Sequence, residues 1–403
     1  MRILFTTLPG IGHLHSIVPL AQALKEDGHE VAFVSAPSFC RRIAAAGFRS
    51  FPAGLDWVES EADQAFNELR GLDPENQGLW LLSNVFADIS PHQMIPDLLA
   101  LCGSWRPHVI VRGEFEFAGC VVGECLGIPH AAVSLGLFFP TEIWRPLIGQ
   151  KLDRLRSLHG LTVDPKLTML YHHACFAFAP PSYQFPNVQL PPTFHLLRPS
   201  IFDRSGPEDL PTWVYRLPRR PTVHATVGTT FTFATDVLED IIRSLADDPL
   251  NLIITTGYNK NLRHLGQLPS NVHIEAYIPH TLLLPHCDVV ITHGGAATTI
   301  SSLFFGLPLV VIPLSNDQPF HAMRCAALGV GCVIKRSGHF EPYLFDRCYS
   351  GLSPKSIRDA VKEVLYNPSY RQSALQLREE MMALPGIETG VQILTRLAGL
   401  PRS

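Results

Sequence analysis

Short apolar runs alternate with amphipathic stretches along most of this chain. Arg2–Leu8 and Glu30–Ser35 are apolar, partly β-branched and bounded by turn residues, as strands buried on both faces are. Between them Ile17, Leu20, Ala21 and Leu24 share one helical face, which predicts a helix over Ser16–Glu26 closed by Gly28. The rhythm returns in Val109–Val111, a helix near Phe117–Leu126, and Pro129–Ser134. Strand–helix–strand repetition predicts a parallel sheet. Prolines crowd between Ala179 and Pro221 and predict an extended connector, placed at residues 206–221. A second block opens at Thr222–Gly228. At 403 residues the chain exceeds one compact core. The expectation is an α/β protein of two parallel-sheet domains, residues 1–205 and 222–385, with a closing segment over 386–403.

The run from Tyr277 to Ala322 is the most informative. Asp288–Thr292 reads as a buried strand, His293-Gly294-Gly295 as a turn, and Ala296–Phe305 as a helix stopped by Gly306 and Pro308. Strand, glycine turn and helix make an anion site, because free N–H groups and the positive helix end face a phosphate. His293 adds a donor, and Thr298 and Thr299 add hydroxyls in the first helical turn. The next strand, Leu309–Pro313, brings Asn316-Asp317-Gln318 to the same carboxyl edge. A carboxylate beside an amide suits sugar hydroxyls, so this segment fits a nucleotide sugar.

Bulk composition narrows the field. Hydrophobic content of 46% with 17% charged residues is that of an ordinary globular protein. A net charge of -4 without a basic stripe gives no case for nucleic acid. The nine cysteines include no CxxC pair, which fits reduced thiols and a cytoplasmic setting. No signal peptide is visible, and no apolar stretch is long enough to span a bilayer.

The HGGAATT and SNDQ elements, preceded by Tyr277-Ile278-Pro279-His280, resemble the nucleotide-sugar signature of family 1 glycosyltransferases. The bacterial enzymes that glycosylate polyketides, macrolides and related natural products are the most similar branch. The N-terminus shares the resemblance through Pro9-Gly10-Ile11-Gly12-His13-Leu14-His15 and Pro19-Leu20-Ala21. Gly10-Ile11-Gly12 is not a dinucleotide fingerprint, since the third glycine is missing and the second strand ends without an acid for a ribose.

The resemblance implies a GT-B fold, two Rossmann-like domains facing across a cleft, and an inverting transfer from a TDP- or UDP-sugar. It makes His13 the base for the acceptor hydroxyl, with His15 beyond the catalytic position; an ordinary imidazole is mostly neutral at pH 7. Ser16, where many relatives carry proline, reads as a helix cap. The usual acid partner aligns with Gly113, which leaves Glu114 or Glu116 for that role. On the donor side it implies Gly228 and Thr229 beside the phosphates, Tyr277, Ile278 and His280 around the base, and His293, Gly294, Gly295, Ala296, Thr298 and Thr299 at the diphosphate. Asp317 and Gln318 would bind the sugar. Trp57, Phe66, Trp80, Phe115, Phe138 and Phe139 would line an apolar, aromatic or polyketide acceptor. No DxD pair or His/Cys ligand spacing is present, so neither metal nor cofactor is expected beyond the nucleotide sugar. Two rivals stay open: a nucleotide-sugar epimerase on the same fold, and a non-catalytic nucleotide-sugar-binding helper. The oligomeric state is open too, a homodimer included.

Overall fold

The computed structural model describes all residues except 73, 204–207, 229–234, 258–267, 336–347 and 400–403. The chain divides into two compact units, residues 1–206 with 384–403, and residues 207–383. Each carries a seven-stranded sheet.

In the first unit the strands are β1 (Arg2–Thr6), β2 (Glu30–Ser35), β3 (Arg49–Pro52), β4 (Val109–Gly113), β5 (His130–Ser134), β6 (Ala174–Ala177) and β7 (Phe194–Leu196), in the order β3-β2-β1-β4-β5-β6-β7. Every pairing is parallel. The order reverses between β1 and β4, and ligands of open α/β sheets bind beyond the carboxyl ends at such a point. Ile3, Phe5, Val109 and Val111 are fully buried among helix side chains. Burying one such side chain contributes about 1.5–3 kcal/mol.

The helix after β1 runs Ile11–Glu26, longer than its apolar stripe predicts. Gly10 is the extended N-cap residue, so His13 lies in the first helical turn. Ser16 therefore caps nothing; its hydroxyl donates to the His13 carbonyl at 2.8 Å. The terminal helix Ile387–Ala398 packs in the same core through Val391, Leu394 and Ala398. Gly390 permits this approach: a Cβ there would stand 3.1 Å from Leu20 Cδ1.

The second unit repeats the plan with β8 (Thr222–Thr226), β9 (Asn251–Thr255), β10 (Val272–Glu275), β11 (Val289–Thr292), β12 (Leu309–Val311), β13 (Gly331–Lys335) and β14 (Cys348–Ser350). The order is β10-β9-β8-β11-β12-β13-β14, again parallel, with its reversal between β8 and β11. Residues 208–221, within the expected connector, fall in this unit, and part of the stretch packs on it. Thr212–Arg216 forms a 3-10 turn, Trp213 stacks on His273 at 4.4 Å between ring centres, and its Nε1 donates to Glu275 at 3.1 Å. Among the described residues no helix is long and apolar enough to cross a membrane.

Candidate active site

In the first unit the loops after β1 and β4 lie side by side because their strands are neighbours. His13 is buried, and its Nε2 stands 3.7 Å from Glu59 Oε1, both side chains being 10% exposed. The Glu59 amide donates to Pro9 O at 2.9 Å, which ties this acid to the turn that starts the His13 helix. Gly10 makes the arrangement possible: a Cβ there would lie 2.1 Å from Glu59 Oε2 and 2.9 Å from His13 Cδ2. Sequence reasoning missed Glu59, which comes from a long irregular segment without periodicity.

Glu116 does not take the partner role expected of it. Its carboxylate accepts the Thr6 hydroxyl, the Ala118 amide at 2.6 Å and the Gly119 amide at 3.0 Å. It satisfies the first amides of the Ala118–Leu126 helix, where a negative side chain also complements the helix end. Burial pushes its carboxyl above the ordinary value, against lowering by Thr6, the Gly119 and Ala118 amides and Arg112. Glu114 Oε2 accepts from Leu135 N at 2.7 Å and Ser134 Oγ at 3.1 Å, so that carboxylate braces the end of β5. Buried Arg112 shapes the loop between them, donating to the carbonyls of Gly113, Glu114 and Glu116 at 2.6–3.4 Å. At Gly113 a Cβ would meet nothing nearer than Thr7 Oγ1 at 3.9 Å, so the missing aspartate is not a steric demand.

Aromatic rings surround His13. Phe86 and Phe115 present edge-on at 6.3 and 5.9 Å between ring centres, and the contacts run outward from Phe86 through Trp57 and Phe66 to Trp80. On the other side Phe115 touches Trp144, which touches Phe139. Five of the six acceptor-side aromatics expected from the sequence thus form one wall with the catalytic candidate, and Phe86 completes it. Phe138 is the exception. It packs at 4.9 Å on Tyr171 and 5.2 Å on Phe194, in a separate core over β5–β7. His15 instead meets Phe202, edge-on at 5.4 Å.

The second unit holds the turn expected at the diphosphate. Helix Ala296–Phe304 follows β11, with Gly295 as N-cap residue and no side-chain cap. Its first amides are the orphan donors of a helix start, and the positive helix end adds to them. The His293 ring sits against two glycines. A Cβ on Gly228 would approach its Cε1 to 2.7 Å, and one on Gly295 its Nε2 to 2.4 Å. Gly228 and Gly294 also have φ of 75° and 86°, which other residues adopt only with strain. Thr298 is buried at this turn; Thr299 is fully buried, and its Oγ1 has no hydrogen-bond partner among the described residues. Thr229 lies outside the described residues.

After β12, Asn316 takes a left-handed conformation at φ 58° and turns the chain into the Gln318–Ala327 helix. Asp317 Oδ2 pairs with His321 Nε2 at 3.2 Å. Burial opposes ionisation of Asp317, but His321, a backbone amide and His293 outweigh it and hold the carboxyl below its ordinary value. Gln318 is buried with its Oε1 accepting from Leu314 and Ser315 at 2.8 and 2.9 Å. Ile278 is buried too. Tyr277 is half-buried, and His280 starts a short helix edge-on to buried His224 at 5.6 Å.

Two profiles of one family match this chain. The description "Erythromycin biosynthesis protein CIII-like, N-terminal domain" matches residues 22–228, and its C-terminal counterpart residues 240–397. 4'-Demethylrebeccamycin synthase of Lentzea aerocolonigenes is 29% identical over 98% of this chain and 99% of that protein. The 3-alpha-mycarosylerythronolide B desosaminyl transferase of Saccharopolyspora erythraea is 25% identical, covering 99% of this chain and 98% of its own. The glycosyltransferase VinC, solved in complex with DTDP, superposes with a TM-score of 0.77 at 26% identity over 99% of both chains. Twin parallel sheets with this donor-type loop define a natural-product glycosyltransferase of GT-B fold. Within that class, the chain belongs to the erythromycin biosynthesis protein CIII-like family.

Proposed function

We propose that the protein transfers a sugar, with inversion, from a TDP-sugar to a hydroxyl of an apolar, aromatic or polyketide acceptor. The observation that carries this reading is the glycine-started Ala296–Phe304 helix, without a side-chain cap among the described residues, beside a His293 ring seated against Gly228 and Gly295. That geometry suits a diphosphate, and the neighbouring Asp317 and the Gln318 NH₂ suit sugar hydroxyls. The solved relative VinC, in complex with DTDP, supports thymidine over uridine as the nucleoside. Tyr277 and the Ile278 backbone are the base-side contacts.

His13 takes the proton of the acceptor hydroxyl as its oxygen attacks the anomeric carbon. The bond from that carbon to the diphosphate breaks, and the departing charge is met by the helix amides and His293. One displacement inverts the centre. Glu59 is the positioning acid of His13, stabilising the imidazolium as it forms, a role the sequence had assigned to Glu114 or Glu116. No metal or cofactor enters the scheme, since the fixed donors supply the positive charge. The cytoplasm is the proposed setting; the eight described cysteines are free thiols. Mass spectrometry of a TDP-sugar panel against hydroxylated aromatic acceptors, with product anomers assigned by NMR, tests the reading. Retained configuration contradicts inversion. Epimerised donor without acceptor supports the epimerase, and tight donor binding without turnover the helper.

A further inference from the structure

The opposite end of the first sheet carries a cluster that the transfer chemistry does not use. His130 is the first residue of β5, and His172 and His173 directly precede β6. These strands pair with Ala131 opposite Ala174, so the register sets His130 beside His173. The segment 171–173 is a bend, which turns both neighbouring rings to one place, 4.3 Å apart between centres. The His130 ring meets them edge-on, at 5.1 Å from His173 and 5.9 Å from His172. One ring nitrogen from each of the three lies within 4.8 Å of the others.

We propose that His130, His172 and His173 form a binding site for a divalent d-block cation, zinc by preference, that clamps the starts of β5 and β6 together. His130 is 2% exposed, and its Nε2 has no hydrogen-bond partner among the described residues. A buried polar atom in that state is destabilising unless something satisfies it. A metal ion does so. Gly123 makes the room: a Cβ there would stand 3.0 Å from His130 Cδ2. Exposed His172 supplies the entry path and leaves a fourth position for water. All three ligands are imidazoles, which favours zinc, nickel, cobalt or copper over magnesium or calcium.

Tetrahedral zinc at about 2.0–2.1 Å from nitrogen sets its ligands about 3.3 Å apart, so the rings close inward by about an ångström. His173 then gives up its long 3.4 Å contact from the His130 amide, because a ligating neutral ring cannot also accept there. The charges that reach the cluster are Arg112 and Arg156 on the His130 side and Glu124 on the His173 side. Arg156 is paired to Glu124 at 2.8 Å, and Arg112 is enclosed by carbonyls, which limits their opposition to a cation. The site lies at the amino ends of the strands, whereas His13 follows the carboxyl end of β1. Its role is therefore structural, and it is independent of the transfer reaction.

The test uses full-length, tag-free protein stripped with a chelator and titrated with Zn²⁺ by calorimetry, with Mg²⁺ as control. One zinc per chain, a visible Co²⁺ absorption band of tetrahedral type and a melting temperature raised by zinc are expected. His172→Gln, at an exposed position, should weaken zinc binding about 100-fold or more while leaving glycosyl transfer unchanged. The His172→Gln/His173→Gln double variant should abolish the cobalt band. Absence of zinc binding tighter than about 100 µM, or zinc binding unaltered in either variant, overturns the proposal.

Discussion

Glu59 Oε1 stands 3.7 Å from His13 Nε2, and the Glu59 amide is tied by a hydrogen bond to Pro9, one residue before the N-cap of the His13 helix. In the proposed transfer a carboxylate at this range stabilises the imidazolium that forms as His13 takes the acceptor proton. Glu59→Gln should lower kcat about 10-fold or more, with donor affinity kept. A kcat within twofold of wild type would remove Glu59 from the mechanism.

Glu116 should behave in the opposite way. With Glu116→Gln one acceptor oxygen becomes an NH₂ facing helix amides, so stability should fall by about 1–2 kcal/mol. The denaturant midpoint reads this, while kcat per folded molecule stays within a few-fold of wild type. A large kcat loss at unchanged stability contradicts the capping role.

Much of the architecture was legible in the sequence. The strands β1, β2, β4, β5, β8, β11 and β12 follow from short apolar runs between turn residues, and the His293-Gly294-Gly295 turn follows from strand, glycine and helix in series. What stayed hidden was long-range or irregular. Glu59 and Phe86 reach His13 from segments that no single-sequence period connects to β1. Phe138 carries the same local signal as Phe139, yet only the fold decides which of two adjacent rings joins the wall at Trp144 and which packs on Phe194. Glu116 looked catalytic because a carboxylate after a strand is equally suited to capping the next helix.

The aromatic wall yields a paired test. Phe86→Leu should raise the acceptor KM several-fold and leave the donor KM unchanged, since Phe86 borders His13 in the first unit. Phe138→Leu should lower the melting temperature without altering either KM. Equal effects on acceptor KM would dissolve the distinction between wall and core.

On the donor side, His293→Ala should weaken free TDP and intact donor alike, whereas Asp317→Ala should weaken intact donor more than free TDP. Calorimetry with both ligands separates them, and identical profiles contradict the division. Turnover should survive EDTA; complete loss restored by magnesium contradicts metal-free catalysis.

Asp317 also has a pH signature. Its folded-state pKa lies below the ordinary carboxylate value, so the stability it contributes is present above about pH 4 and is lost as pH falls through the lowered value. Asp317→Asn should therefore flatten the dependence of unfolding free energy on pH below about 4. Denaturant titrations at stepped pH check it, and unchanged slopes speak against the His321–Asp317 pair.

The central claim is base-assisted sugar transfer through His13. Its most direct measurement is single-turnover transfer by wild type and His13→Ala, each saturated with a TDP-sugar, followed by mass spectrometry of the glycosylated acceptor. The expected result is a rate lowered about 10²–10⁴-fold in the variant, with donor binding preserved and an inverted anomeric centre in the wild-type product. Transfer by His13→Ala within a few-fold of wild type would contradict the account.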